Sequence, residues 1–205
     1  MISITPKLAR WTTNVVTRVP FMWSVLRGPL TSRFDELSAD WESKRLSPEH
    51  LVSFNAALDR IETPPQRILD LGTGTGAGAR AMAKRWPDAE ILGIDASKGM
   101  LAEARAHASS SRERYELGDA SKLDVGDAAF DLVAMVNMIP FYDELARVTA
   151  PGGRLVAAFS RGADTPIYVP FERFRRELER RGFTQIAEIS APPGTSLLAV
   201  KSHPA

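Results

Sequence analysis

The residue types best suited to chemistry cluster between Asp70 and Asp95. The run from Arg67 to Met100 reads RILDLGTGTGAGARAMAKRWPDAEILGIDASKGM. Gly72, Gly74, Gly76 and Gly78 follow the short apolar run Ile68 to Leu71, and glycines there let the backbone bend sharply and approach a ligand closely. Asp95 ends a second apolar run, Ile91 to Ile94, where a carboxylate can accept hydrogen bonds from both hydroxyls of a ribose. This is the chemistry of nucleotide binding. Bond-breaking arrangements are not legible: no Ser-His-Asp or paired-Glu pattern stands out, and His50, His107 and His203 are too scattered to make a metal motif. With no cysteine in the chain, disulfides, thiolate metal sites and cysteine nucleophiles are excluded.

The elements that must position these residues follow from periodicity. Ala79, Met82, Ala83 and Trp86 recur at helical spacing, and Pro87-Asp88 stops that helix. Further strands are expected at Tyr115 to Leu117, Phe130 to Val136 and Arg154 to Phe159, the last entered through Pro151-Gly152-Gly153. Helices are expected at Asp143 to Thr149 and near Phe171 to Arg181, the latter with Phe171, Phe174 and Leu178 as its apolar stripe. Gln185 to Ile189 and Ser196 to Lys201 read as strands joined by Ala191-Pro192-Pro193-Gly194. That link is too short for a crossover helix, so the two must be antiparallel.

Two cofactor families share this plan. Gly74, Gly76 and Ala79 satisfy G-x-G-x-x-A with Asp95 about 20 residues further on, which suits a dinucleotide. The acid-led pattern Asp70-x-Gly72-x-Gly74-x-Gly76 discriminates better, because a carboxylate before the turn suits a ligand carrying an ammonium and a sulfonium and suits a pyrophosphate badly. Here the chain resembles the class I S-adenosylmethionine-dependent methyltransferases. The likeness continues in order through GIDAS at 93–97, LGDASKL at 117–123, FDLVAMVN at 130–137 and ELARVTAPGGRLV at 144–156.

The resemblance implies an α/β fold: a three-layer, Rossmann-like, doubly wound sheet of seven mostly parallel strands with one antiparallel strand near the carboxyl end, plus an amino-terminal helical cap. It assigns Asp70, Gly72, Thr73, Gly74 and Gly76 to the amino acid end of S-adenosylmethionine, and of the product S-adenosylhomocysteine. Asp95 would hold the ribose, Ala96 and Met100 would flank sugar and adenine, Asp119 in Gly118-Asp119-Ala120 would accept the adenine amino group, and Leu123 would cover an adenine face. It also directs attention to the loop after the fourth strand, residues 137–143, as the acceptor side. Asn137 and Tyr142 are the candidates there for orienting an acceptor, with Asn137 also beside the cofactor; a turn amide and a packed ring are the plainer readings. Asn137-x-x-Pro140-Phe141 differs by one residue from the Asn-Pro-Pro-aromatic motif of amino-group methyltransferases and is not taken as a match.

At 205 residues the chain accommodates one catalytic core, residues 67–205, and a cap, residues 1–66. Ser47-Pro48-Glu49 and Leu51, Phe54, Leu58 and Ile61 predict a helix beside the sheet. Residues 1–34 carry Lys7, Arg10, Arg18, Arg27 and Arg33, no acid, and many interleaved apolar residues. They read as a lid or peripheral membrane contact, or as a cap whose aromatics fill core, the latter being favoured. A formal net charge of +1 gives no case for nucleic acid. No metal is expected, nor a signal peptide or membrane span, and the cytoplasm is the default location. The expected activity is methyl transfer to a small or lipid-like acceptor. An NAD(P)-dependent oxidoreductase and a non-catalytic cofactor-binding module are the alternatives.

Overall fold

The computed structural model describes residues 6–42 and 48–203. In chain order its main elements are α1 (Pro6–Val16), α2 (Trp23–Leu37), α3 (Val52–Leu58), β1 (Arg67–Leu71), α4 (Ala77–Arg85), β2 (Glu90–Asp95), α5 (Lys98–Ala106), β3 (Glu113–Leu117), β4 (Phe130–Val136), α6 (Tyr142–Val148), β5 (Thr149–Phe159), α7 (Phe171–Glu179), β6 (Phe183–Ala191) and β7 (Gly194–Lys201).

The seven strands form one sheet in the order β3-β2-β1-β4-β5-β7-β6, and β7 alone runs antiparallel to its neighbours. Central strands of a parallel sheet are covered on both faces and so read as unbroken apolar runs. Successive side chains then feed two cores. Ile68, Leu132, Val156 and Ala158 face α3, α4 and α5 with Phe54, Met82 and Leu101, while Leu69, Val133, Leu155 and Ala157 face α6 and α7 with Leu145, Phe174 and Leu178. The chain runs outward from β1 through β2 to β3, then returns to β4 on the other side of β1. That reversal opens a crevice at the carboxyl ends of the strands, the place where doubly wound sheets bind ligands.

Most boundaries shift by one or two residues from the pattern-based expectation, with β3, β6 and β7 each beginning two residues earlier, and two shifts bear on the packing. β5 begins at Thr149, so Pro151-Gly152-Gly153 lies inside the strand, across a register shift between Phe130 and Leu132. Gly153 allows this, since a Cβ there would stand 2.7 Å from the Ala150 carbonyl oxygen. α7 ends at Glu179, with Phe174 and Leu178 buried and Phe171 only half-buried. Its charges are paired, Arg175 with Glu179 and Glu177 with Arg181 just past the helix end, which also meets Asp143.

The segment before the core divides into three differently held parts. α1 buries Thr12, Thr13 and Val16, and the Arg10 guanidinium donates to the Ala163 and Thr165 carbonyls at 2.6 and 2.9 Å. α3 buries Phe54, Ala57 and Leu58 in the core, and the Ser53 carbonyl accepts the Ser196 hydroxyl at 2.8 Å. α2 buries no residue and carries Gly28-Pro29 in its middle. The expectation that the aromatics of residues 1–34 fill core holds only in part: Val16 is buried, and Trp23 and Leu26 pack against the core, whereas Trp11, Phe21 and Val25 are 52, 73 and 66 % exposed. Residues 1–5 and the expected helix start at Ser47 lie outside the described residues.

Candidate cofactor site

The turn between β1 and α4 passes through three glycines in the left-handed region, Gly72 at φ +69°, Gly74 at +55° and Gly76 at +83°. The protein itself fills the space beside two of them. A Cβ on Gly72 would lie 2.6 Å from Met138 Sδ, and one on Gly76 would lie 2.7 Å from the Tyr115 hydroxyl. Beside Gly74 no atom of the described residues lies within 4 Å. Among the described residues the middle of the turn therefore faces open space.

Asp95 ties this turn to β2. Gly74 N–H donates to its Oδ2 at 2.9 Å, and Ser97 N–H to its Oδ1 at 2.9 Å. Gly72 and Thr73 N–H both donate to the Ile94 carbonyl, at 2.8 and 3.1 Å. Burial raises the Asp95 carboxyl above the ordinary range, against backbone N–H groups of Ser97, Gly74 and Ala96 that favour the charge. Ala96 is half-buried and Met100 buried, in the segment where Ser97 caps α5 by accepting Met100 N–H.

Asp70 lies beneath the turn, 2 % exposed. Its Oδ2 accepts the Thr73 hydroxyl at 2.6 Å and its carboxylate also accepts Ala79 N–H. Burial pushes its pKa up to about 6, these bonds opposing and the Asp95 charge adding. Asp70 thus shapes the turn from below instead of presenting an open carboxylate. Gly78 makes room for it, since a Cβ there would stand 3.2 Å from both Asp70 oxygens.

Asp119 follows β3 and is already engaged. Its Oδ1 accepts Trp23 Nε1–H at 2.8 Å, Ser121 N–H at 2.9 Å and the Ser121 hydroxyl at 2.7 Å, and its Oδ2 accepts the Arg27 guanidinium. Burial alone would raise its carboxyl; the bonds from Ser121, Trp23 and Arg27 prevail and hold it below the ordinary range. Ala120 and Leu123 are buried in the core cluster that also contains Ile139 and Phe141.

The two acceptor-side candidates carry structural contacts. Asn137 takes φ +51°, its side-chain N–H donates to Ser160 Oγ at 2.8 Å, and its Oδ1 accepts Ser160 N–H at 2.9 Å. It clamps the end of β4 to the end of β5, using one N–H and one lone pair of its amide. Tyr142 is 6 % exposed, edge-on to Phe174 with centroids 5.2 Å apart and with Arg181 over its ring at 5.5 Å. Its hydroxyl is buried without a partner, and burial raises its pKa. These contacts correct the expectation that its ring or hydroxyl faces an acceptor, because they turn it into the α6–α7 core.

Sequence reasoning missed Met138, which closes the turn over Gly72, and the α2 residues Trp23, Arg27 and Asp35. A signal existed: Trp23 and Arg27 share a helix face at i, i+4 spacing inside an acid-free stretch, and Asp35 is the first acid of the chain. A separate groove of about 560 Å³, lined by Pro64, Arg67, Arg85, Trp86 and Arg112, opens at the amino ends of β1 and β2. It lies at the wrong edge for the chemistry, and Arg67 and Arg85 are paired with Asp131 and Asp59.

A glycine turn left open among the described residues, a carboxylate at the end of β2 and a doubly wound sheet are the features of a nucleotide-cofactor site. Residues 68–153 match the model of the methyltransferase domain. The demethylmenaquinone methyltransferase of Thermus thermophilus is 45 % identical over 105 residues, covering 47 % of this chain and 48 % of that one. The malonyl-[acyl-carrier protein] O-methyltransferase of Geobacter sulfurreducens is 38 % identical over 94 residues, covering 45 % and 35 %. The chain thus spans less than half the length of either relative. In fold it is similar to the [4+2]-cyclase SpnF, with a TM-score of 0.67 at 19 % identity over 85 % of this chain and 96 % of that one. Over residues 68–153 the chain is thus similar to methyltransferase domains, and the class I family that this segment resembles uses S-adenosylmethionine as its cofactor. The residues present fit it: open space at Gly74, an acceptor carboxylate at Asp95 and buried negative charge under the turn at Asp70.

Proposed function

We propose that this chain is a methyltransferase that transfers the methyl group of S-adenosylmethionine to a small or lipid-like acceptor. The observation that carries the reading is Gly74: in a turn whose other two left-handed glycines are filled by the protein's own side chains, this one is left open beside Asp95. In this reading Gly72, Thr73, Gly74 and Gly76 receive the amino acid end, Asp95 accepts the ribose hydroxyls, Ala96 and Met100 flank the sugar, and Asp119, Ala120 and Leu123 line the adenine half. When bound, S-adenosylmethionine supplies a methyl carbon already made electrophilic by the sulfonium. The chain's own task is then alignment and exclusion of water, and alignment alone is worth up to roughly 7–11 kcal/mol. Met138 and the Asn137–Ser160 clamp fix the wall facing the turn.

The relative named for malonyl-[acyl-carrier protein] points to a small carboxylate acceptor and the one named for demethylmenaquinone to a lipid-like one, and the lipid-like acceptor is favoured. It is favoured also by exposed Trp11, Phe21 and Val25 in an acid-free segment, a pattern that suits peripheral contact with an anionic membrane from the cytoplasm. Among the described residues no helix is long and apolar enough to cross a membrane. Calorimetric titration with S-adenosylhomocysteine and NADH, followed by a labelled-methyl screen over metabolite and lipid extracts, tests the reading. Tighter binding of NADH would revive the oxidoreductase alternative, and cofactor binding without any labelled product would leave a binding module.

A further inference from the structure

α2 lies along the crevice that the sheet reversal opens. At its start Trp23 and Arg27 donate to Asp119, just after β3, and Trp23 meets Phe141, just after β4, edge-on at 5.4 Å. At its end Asp35 Oδ1 accepts the Ser97 hydroxyl at 2.5 Å and Gly99 N–H at 2.9 Å, just after β2. The seat at that end is built: a Cβ on Gly99 would stand 2.6 Å from Ser38 Oγ and 3.2 Å from Asp35 Cα. Between these ends Trp23 and Leu26 pack against the core cluster containing Ala120 and Leu123. The helix therefore covers the carboxyl ends of β2, β3 and β4 together.

It covers them weakly. No residue of α2 is buried, and in the Arg27–Asp119 pair the side chains are 51 and 24 % exposed, a setting in which ion pairs contribute little. α1, by contrast, is anchored by buried Val16 and by Arg10 and Arg173, the latter donating to Thr17 Oγ1 at 2.7 Å. Segments with few buried contacts and polar attachments open at low cost, and active-site lids are drawn from them. Oδ1 of Asp119, with three donors, has no capacity left for another ligand.

We propose that α2 is a displaceable lid: with Trp23 and Arg27 on Asp119 it stands in the adenine half of the cofactor site, and cofactor binding swings it away from an anchored α1. The inference rests on the reading that Asp119, Ala120 and Leu123 line that half. Because closed lid and bound adenine exclude one another, the apparent affinity for the cofactor is reduced by the fraction of molecules with the lid open. Loosening the lid from either end raises it.

Two variants loosen opposite ends. Trp23→Phe combined with Arg27→Met keeps an aromatic ring and removes the donors to Asp119. Gly99→Ala pushes away Ser38 and Asp35 while favouring the α5 helix, and touches neither Asp119 nor the glycine turn. Calorimetry with S-adenosylhomocysteine is expected to show each binding about threefold to tenfold more tightly than wild type. In the wild type the same ligand is expected to speed tryptic cleavage after Arg33. Unchanged or weaker binding in either variant, or protection of Arg33 by ligand, would overturn the lid and make α2 a fixed wall or a clamp. Absence of any binding to the wild type would instead overturn the cofactor assignment, and the lid with it.

Discussion

Replacing Gly74 with Ala separates what the turn does for the fold from what it does for a ligand. The backbone there sits at φ +55°, where an L side chain costs roughly 1–2 kcal/mol. No steric term is added, because no atom of the described residues lies within 4 Å of the new Cβ. Gly76→Ala carries the same backbone cost and must also move the Tyr115 ring, 2.7 Å away at its hydroxyl, which adds about 1–3 kcal/mol of overpacking. In urea unfolding, Gly74→Ala is therefore expected to be the milder variant. In binding the order reverses. The new methyl group intrudes on space held open for the cofactor, and an intrusion of about 1–3 kcal/mol weakens S-adenosylhomocysteine roughly 5- to 150-fold. Titration calorimetry reads the affinity, and the loss of ligand-induced stabilisation in a thermal melt reads it independently. Wild-type affinity in Gly74→Ala would show that the open space at the turn is solvent and nothing more.

The remaining predictions concern the acids and the clamp. Asp95→Ala is expected to weaken S-adenosylhomocysteine by about 1–3 kcal/mol in calorimetry, the range for losing hydrogen bonds to a charged group. Asp70, raised from 3.8 to about 6, binds its proton more tightly in the native than in the unfolded state. Its contribution to stability is therefore present at low pH and falls by about 3 kcal/mol in all as pH rises through that window, so the difference in urea stability between wild type and Asp70→Asn should change by about 2 kcal/mol between pH 4 and 7. Asn137→Ala removes both bonds to Ser160 and should cost about 1–3 kcal/mol of stability while leaving S-adenosylhomocysteine affinity near wild type. Tyr142→Phe removes a buried hydroxyl that has no partner; urea unfolding should show no loss, with a gain of up to about 1 kcal/mol.

The sheet was legible because its strands are covered on both faces: Ile68 to Leu71 and Phe130 to Val136 are apolar except for Asp70 and Asp131, and such runs stand out between turns. The Gly72–Gly76 turn was legible for a related reason, since a backbone at positive φ leaves few residue choices. Asp70, Asn137 and Tyr142 were harder. Whether a carboxylate or amide at a strand end meets a ligand or a neighbouring loop depends on contacts such as Ala79 and Ser160, which no local pattern encodes. The lid was hidden similarly: Trp23 and Asp119 are 96 positions apart, and an acid-free amphipathic segment suits a core cap, a lid or a membrane contact equally.

The placement of β7 between β5 and β6 bears on how the chain is made. Synthesis delivers β6 before the only strand it pairs with, and until Gly194 to Lys201 emerge the outer edge of β5 stands open. The Ser53 carbonyl waits for Ser196, 143 positions later. A nascent chain stalled before β7 would thus expose a long apolar edge, Arg154 to Phe159, of the kind that templates pairing with other chains. Ribosome pausing or premature termination before β7 has emerged should for this reason produce aggregation more readily than the loss of α2.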